Sequence, residues 1–147
     1  MPPTTPLSSV AFRLHIAGSF SERQLSERFA ELGLKPKHVA LLSALHLGAP
    51  GSQSDLAAIL RIAPSLVVVL ADDLEELGAV TRERDTVDRR RQQLALTAEG
   101  RRLLEASVRI SEGIDSELLQ GMSEPEQASV ASFLARFAGA AGIPADK

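Results

Sequence analysis

The chain has 147 residues, a formal net charge of −3, five Phe with no Trp or Tyr, and no Cys. This length suits a single domain with a real core, and the absence of cysteine excludes disulfides, thiolate nucleophiles, cysteine-based zinc sites and direct thiol redox sensing. The scarcity of aromatic residues argues against a β-sandwich core and against recognition of single-stranded nucleic acid by base stacking.

Apolar residues at helical spacing predict four helices in the first half of the chain, over about 8–32, 36–48, 52–60 and 64–77. The first is predicted to break near Gly18, and the second begins at a proline and ends at a glycine. At the start of the third, a serine and an aspartate stand in the positions of a capping box. The third and fourth helices follow each other closely, which is the pattern of a helix-turn-helix.

The fourth helix begins at Pro64, a residue that is favourable in the first turn, and it has two faces. The face predicted to be buried consists of Val67, Leu70, Ala71, Leu74 and Leu77. The face predicted to be exposed consists of Ser65, Val68, Val69 and Asp72. The outward face therefore presents two valines to solvent or to a partner.

Residues 79–97 predict a two-stranded hairpin with a cationic tip. A first strand of alternating charge leads into a polar turn and three consecutive arginines, and a second strand alternates between apolar and polar residues. From Arg82 to Arg102, seven arginines stand against four acids, a local charge of +3 on a chain whose sum is −3. This asymmetry indicates an anionic partner, and a thin cationic hairpin suits a narrow, negatively charged groove.

Two further helices are predicted, a fifth from a Thr97 cap to about Leu119 and a sixth from Ser123 to about residues 142–144. Together with the first helix, they carry more apolar surface than a winged helix-turn-helix can cover. The simplest way to cover this apolar surface is to pack it against a second copy of the chain. Two-fold pairing would set the two fourth helices roughly 34 Å apart, one turn of DNA.

The predicted fold class is mainly α with a small β-hairpin wing, in one domain over 1–147. The winged helix-turn-helix occupies about 35–100, and dimerisation helices occupy about 8–32 and 101–142. The start of the chain lacks the features of a signal peptide, and no apolar run approaches the length of a membrane span. The sequence therefore predicts a cytoplasmic protein with no membrane partner.

Three stretches resemble the MarR (multiple antibiotic resistance regulator) family of winged helix-turn-helix transcription factors. Residues 85–100, DTVDRRRQQLALTAEG, resemble the family's wing signature, roughly D-P-x-D-R-R, a variable strand, and then L-T-x-x-G. Residues 55–57, DLA, and 74–80, LEELGAV, resemble its D-L-A and L-E-x-x-G-L-V. The resemblance covers about 35–104 and departs from the family at Thr86, which stands in place of the wing proline.

The resemblance implies a homodimeric regulator, most often a repressor, that binds a pseudo-palindromic operator in double-stranded DNA and releases it when a small aromatic or phenolic effector binds. It implies that the fourth helix lies in the major groove and that Arg90 enters the minor groove, with Asp88 orienting its guanidinium. Paired charge-assisted bonds to a carboxylate two residues earlier would hold a side chain that otherwise samples many rotamers. Arg89 and Arg91 point away from Arg90 by strand alternation and meet phosphate or an internal acid.

The candidate DNA-contacting residues lie at the starts of the third and fourth helices and in the wing. They are Ser54, Pro64, Ser65, Val68, Val69, Arg82, Arg84, Asp88, Arg89, Arg90 and Arg91. Valines cannot donate to guanine but can contact thymine methyl groups, whereas Asp72 and Asp73 would repel phosphates unless they are paired or turned away. Arg82 and Arg84 are either phosphate contacts or partners of acidic neighbours in the hairpin.

Arg13, His15 and His38 are the candidates for an effector pocket between the dimer helices and the winged part. The spacing of His15, His38 and His46 completes no obvious metal-ligand set, so these histidines are interpreted as structural or exposed. The chain has no Gly-rich phosphate loop, no HExxH and no G-x-S-x-G. The sequence therefore predicts neither an enzyme nor a cofactor.

Two other functions stay open at the level of sequence. One is a protein-interaction module that keeps the winged shape without reading DNA, suggested by the apolar outer face of the fourth helix. The other is a metal-responsive regulator that uses histidines and carboxylates. For Arg90 and Asp88, the plainer interpretation is a solvated surface ion pair, which generally contributes little to stability.

Overall fold

A computed structural model describes residues 5–140, including the side chains of residues 5–138. Its elements, in chain order, are α1 (Val10–Phe29), α2 (Pro36–His46), α3 (Gln53–Leu60), α4 (Pro64–Glu76), β1 (Val80–Arg84), β2 (Gln92–Leu96), α5 (Ala98–Leu118) and α6 (Glu124–Ala140). Short 3-10 turns flank α1. The predicted class, mainly α with a two-stranded β-hairpin, is confirmed.

The first helix, α1, is continuous, and the predicted break near Gly18 is wrong. A glycine inside a helix costs about 1 kcal/mol relative to alanine, which a long helix tolerates. Nearby hydroxyls bond back to helix carbonyls, Ser19 Oγ to His15 O at 3.0 Å and Ser21 Oγ to Gly18 O at 3.1 Å. The helical segment ends at Gly33, whose φ of 73° is a left-handed conformation that suits glycine.

The predicted helix-turn-helix is formed by α3 and α4, which are bent by 109° relative to each other. Ser52 caps α3, because its Oγ accepts from the Asp55 N–H at 3.2 Å and donates to the Asp55 carboxylate. Arg61 ends α3 at a φ of 53°, and α4 begins at Pro64 as predicted. Within residues 5–140, no single helix has the length and apolar character needed to cross a membrane, and α3 and α4 would meet that test only as a bent pair.

The core lies between α2, α3, α4, the hairpin and the first half of α5, with the end of α1 packed against it. Its largest fully buried apolar side chains are Leu34, Leu41, Leu42, Leu56, Val67, Leu74 and Val80. The predicted inward face of α4 is buried except for Leu77, which is 38% exposed. The prediction is wrong at Leu77, which is the C-cap of α4 and lies beyond its last helical residue.

The base of the hairpin is fixed to the loop before α3. The strands pair antiparallel, with Arg84 opposite Gln92 at the end nearest the tip. The Leu94 N–H donates to Gly51 O at 2.8 Å. A Cβ at residue 51 would lie 2.3 Å from Leu94 O, so this approach requires glycine. The wing therefore leaves the domain at a fixed position beside the start of α3.

The predicted caps of the last two helices are confirmed. Thr97 Oγ1 accepts from the Gly100 N–H at 3.0 Å, and the Ser123 N–H donates to Glu126 Oε2 at 2.8 Å. α5 packs against α1 and α2, whereas α6 makes only sparse contacts with the other described elements. Exposed apolar side chains on α1, α5 and α6 include Val10, Phe12, Ile16, Phe20, Leu118, Phe133, Leu134 and Phe137. The predicted end of α6 at residues 142–144 lies outside the described residues.

Candidate nucleic-acid interface

A groove of about 510 Å³ lies where the wing meets the starts of α3 and α4. It is lined by Ser52, Gln53, Ser54, Pro64, Arg90, Arg91 and Gln92. The first N–H groups of a helix have no partner inside the helix and carry partial positive charge. Two helix starts and two arginines therefore give this groove a positive potential that suits an anion such as phosphate.

Two aspartates fold the tip of the wing. Asp85 Oδ1 accepts from the Val87 N–H and Asp85 Oδ2 from Gln93 Nε2, both at 2.8 Å. Both hydrogen bonds lower the pKa of the Asp85 carboxyl, and the bond from the Val87 N–H has a larger effect than the bond from the Gln93 amide. Asp88 Oδ1 accepts from the Arg90 N–H at 3.0 Å. The two carboxylates thus fix the backbone of the turn. The three arginines at the tip, Arg89, Arg90 and Arg91, are exposed.

The bond made by Asp88 differs from the prediction. The sequence predicts a bond to the guanidinium of Arg90, but Asp88 binds the backbone N–H of that residue instead. A short aspartate side chain readily bonds the backbone two residues on, and this geometry directs the carboxylate away from the guanidinium. Among the described side chains, the Arg90 guanidinium forms no ion pair. Asp88 therefore fixes the backbone position of Arg90 but not the rotamer of its side chain.

The outward face of α4 agrees with the prediction. Ser65 and Asp72 are exposed, and Val68 and Val69 are 38% and 52% exposed. Pro64, the first residue of the helix, lines the groove. α4 therefore begins at the positive groove, and its exposed face leads away from it.

Three of the four acidic residues of α4 have cationic or hydrogen-bonding partners within the chain. Arg82 on β1 donates to Asp72 through Nη2 and to Glu75 through Nη1, the latter at 2.9 Å. The bond to Asp72, together with the charge and bond of Glu75, raises the pKa of Arg82. On the other side of the helix, Asp73 Oδ2 lies 3.0 Å from His38 Nε2. These pairings reduce the repulsion of phosphates that free carboxylates would cause.

The partners of Arg82 differ from the predicted hairpin pairs, since Asp72 and Glu75 lie on α4 and not in the hairpin. Long-range packing of β1 onto α4 brings the three residues together, and no local pattern signals it. Arg84 is exposed opposite Gln92 and stays a candidate for a phosphate contact.

Replacing Arg82 with alanine is expected to weaken DNA binding about tenfold, because two uncompensated carboxylates would then stand beside the phosphates. The effect on the free energy of unfolding should stay under about 1 kcal/mol, as for most surface ion pairs. Both quantities are measured, by fluorescence anisotropy on DNA and by urea unfolding. Adding Asp72→Asn and Glu75→Gln to Arg82→Ala should restore most of the affinity. If the triple variant still binds DNA weakly, and its affinity depends less on salt than that of the native chain, Arg82 contacts phosphate directly.

The predicted effector residues are not brought together around one cavity. His38 is buried, with Nδ1 accepting from the Lys35 N–H at 3.0 Å and Nε2 bonded to Asp73, so its ring joins the start of α2 to α4. Arg13 and His15 are exposed on α1. Both ring nitrogens of His38 thus already have hydrogen-bonding partners within the chain. Among the described residues, no group of three or more His, Cys, Asp or Glu side chains could hold a metal ion.

A different cavity, of about 360 Å³, lies between α2 and α5. Its lining residues are Ser43, His46, Leu47, Arg101, Leu104, Glu105 and Val108. Its walls are mostly apolar, and its polar side chains include Arg101, His46 and the acidic Glu105, a combination that suits a small apolar molecule with polar groups. Helical spacing of Arg101, Leu104 and Val108 on α5 is the sequence signal that could have pointed to this wall.

A family model described as the MarR family matches residues 32–91, from the end of α1 to the wing. The transcriptional regulator HosA of Escherichia coli O157:H7 is 40% identical over 73 residues, which are 48% of this chain and 54% of HosA. The structure of CouR from Rhodococcus jostii RHA1 bound to p-coumaroyl-CoA has a TM-score of 0.79 and 25% identity over 99% of both chains. The chain is therefore similar to the MarR family in its winged part and in its fold.

The likeness to known transcriptional regulators extends beyond the winged part. The HTH-type transcriptional repressor MdtR of Bacillus subtilis (strain 168) is 27% identical over 135 residues, which are 92% of this chain and 87% of MdtR. The match to HosA, in contrast, spans about half of that protein's length. HosA and MdtR are regulators of transcription, in agreement with the prediction that the chain is not an enzyme.

Proposed function

We propose that the chain is a ligand-responsive repressor that binds a pseudo-palindromic operator in double-stranded DNA as a homodimer. The observation that carries this proposal is the positive groove between the wing and the starts of α3 and α4. In the proposed complex, α4 enters the major groove and Arg90 enters the adjacent minor groove. The helix starts, with Arg84, Arg89 and Arg91, contact the phosphates that lie between the two grooves.

The geometry of the wing supports insertion into a narrow groove. A two-stranded hairpin is thin, and its tip holds three exposed arginines on a turn that is fixed by Asp85 and Asp88. The minor groove of B-DNA is about 6 Å wide, and where it narrows further its negative potential attracts arginine. A fixed turn reduces the entropy that is lost when the tip enters the groove.

The apolar surfaces of α1 and α6 support the homodimer. Phenylalanines such as Phe12 and Phe20 on α1 and Phe133 and Phe137 on α6 are more than a third exposed. Burying the exposed part of each ring would remove apolar surface from water, which is the kind of term that stabilises obligate dimers. A two-fold dimer places two copies of α4 on successive major grooves of one operator.

The cavity between α2 and α5 is the proposed effector site. Arg101 and His46 provide cationic or donor groups at its wall, and Leu47, Leu104 and Val108 provide apolar contact. A small aromatic or phenolic acid matches this combination, and CouR, a protein of similar fold, binds p-coumaroyl-CoA. A ligand that moves α5 relative to α2 would change the spacing of the two recognition helices and so lower DNA affinity.

A salt titration tests DNA binding. The chain is titrated onto duplexes that it has selected from a random library, at several salt concentrations, and the titration is repeated with Arg90→Ala. Minor-groove insertion predicts that log K falls steeply with log salt and that Arg90→Ala loses about tenfold to a hundredfold in affinity. Arg109→Ala removes an exposed arginine from α5 and should leave affinity unchanged.

The ligand response is measured on the same complex. p-Coumarate and p-coumaroyl-CoA are added separately to the chain bound to its selected duplex, and Arg101→Ala is compared with the native chain. Release of DNA by either compound from the native chain, but not from the variant, supports the proposed cavity. Release from both proteins alike would place the effector elsewhere.

A protein-interaction module is the second candidate function, and the exposed valines of α4 favour it. Such a module has no reason to select duplexes from a random library. Weak binding that neither salt nor Arg90→Ala alters would support this alternative against the repressor.

A further inference from the structure

The exposed face of α4 lacks the side chains that usually read bases by hydrogen bonds. Its sequence, PSLVVVLADDLEE, contains no Arg, Lys, Asn or Gln. Arginine and lysine are the residues that bind guanine in the major groove, and asparagine and glutamine are those that bind adenine. A recognition helix without them must read sequence in another way or read none at all.

The carboxylates of α4 are poorly placed to substitute for these residues. A free carboxylate can accept from the amino group of cytosine. Asp72 and Glu75, however, are bonded to Arg82, and Asp73 to His38. Using them on a base would first break these pairings. Glu76, at the far end of the helix, is the last residue before the C-cap.

What the exposed face offers to a base is Ser65, Val68 and Val69. A serine hydroxyl both donates and accepts, so it discriminates little between bases. The branched methyl groups of the two valines are the largest exposed apolar feature of the helix. On the floor of the major groove, the apolar counterpart is the C5 methyl group of thymine.

We infer that α4 reads its half-site through the C5 methyl groups of thymine, with Val68 and Val69 as the specificity-determining residues. This inference rests on the proposed DNA binding and adds the chemical feature that the helix recognises. Two neighbouring valines at the start of the second helical turn can each cover a methyl group without any change in hydrogen bonding. Binding then depends on thymines in the half-site more than on guanines or adenines.

Replacing thymine with uracil in the selected duplex tests this directly, because uracil keeps every Watson–Crick bond and lacks only the methyl group. Affinity should fall about fourfold for each methyl contacted, the factor that corresponds to about 0.8 kcal/mol. The double variant Val68→Ala, Val69→Ala should bind the thymine and uracil duplexes almost equally. Arg109→Ala, which removes an exposed side chain from α5, serves as the control and should keep the native ratio. Circular dichroism verifies that all variants are folded.

Three results would overturn the inference, and they are distinguishable. Equal affinity of the native chain for both duplexes, with salt and Arg90 dependence intact, removes methyl readout and leaves the proposed function in place. A thymine preference that survives in the double variant assigns it to the wing or to DNA shape. Absence of any selected duplex removes the proposed function and the inference together.

Discussion

Gly100→Ala is expected to lower the free energy of unfolding by about 3 kcal/mol, because it forces a side chain into a packed backbone. A Cβ at residue 100 would lie 2.1 Å from Ala79 O and 2.8 Å from Leu96 Cδ1. Ala79 O cannot move away easily, since it accepts from the Thr97 N–H at 3.1 Å. The substitution therefore disrupts the junction at which β1, β2 and α5 meet.

The same substitution elsewhere in the same helix should have the opposite sign. At Gly113 the nearest atom to a new Cβ is Arg28 Nη1, at 3.8 Å, which is an ordinary contact. Gly113→Ala should therefore stabilise the chain by about 0.5–1 kcal/mol through the lower entropy of the unfolded state. Urea unfolding of both variants at one fixed protein concentration measures the difference, since a dimer unfolds in a concentration-dependent way. If Gly100→Ala and Gly113→Ala changed the free energy of unfolding equally, close packing at Gly100 would not be the cause.

Local sequence signals predicted the helices, their caps and the wing. A cap such as Ser52 or Thr97 bonds an N–H three residues along, so its signal is contained in a few consecutive residues. The alternating pattern after the wing arginines likewise lies within one strand. The inward side of α4 followed from helical spacing, and it was wrong only at Leu77, where the helix has ended.

The pairings of His38 and Arg82 join residues that are distant in the chain, and the sequence did not predict them. His38 looked available for a ligand, but Asp73 on another helix occupies one of its ring nitrogens. Arg82 was predicted to pair within the hairpin or to contact phosphate, and folding replaces the hairpin partners with Asp72 and Glu75 on α4. The aspartate-rich end of α4 looked unfavourable for DNA until these two pairings were known. No single-sequence pattern contains such information, because it depends on how the elements pack.

Phe133→Glu with Phe137→Glu is expected to convert a dimer into monomers and to weaken binding to a full operator by a factor of about 100 or more. The two rings are stacked with centroids 6.5 Å apart, and they are 40% and 55% exposed in the protomer. Because α6 has sparse contacts with the rest of the described chain, its apolar face is not used in the protomer's own core. Two carboxylates on that face would have to be buried unpaired in a dimer, which is strongly unfavourable.

The control for this prediction lies on the same helix. Ala131 and Ala135 are exposed and, two residues away from the phenylalanines, point to the opposite side of α6. Ala131→Glu with Ala135→Glu adds the same charge to the same helix and should leave the dimer and its operator affinity intact. Sedimentation equilibrium measures the mass of each variant, and anisotropy measures binding to the full operator and to a half-site. A phenylalanine variant that stays dimeric would show that another surface joins the protomers, whereas a monomer with native operator affinity would remove the need for a dimer in DNA binding.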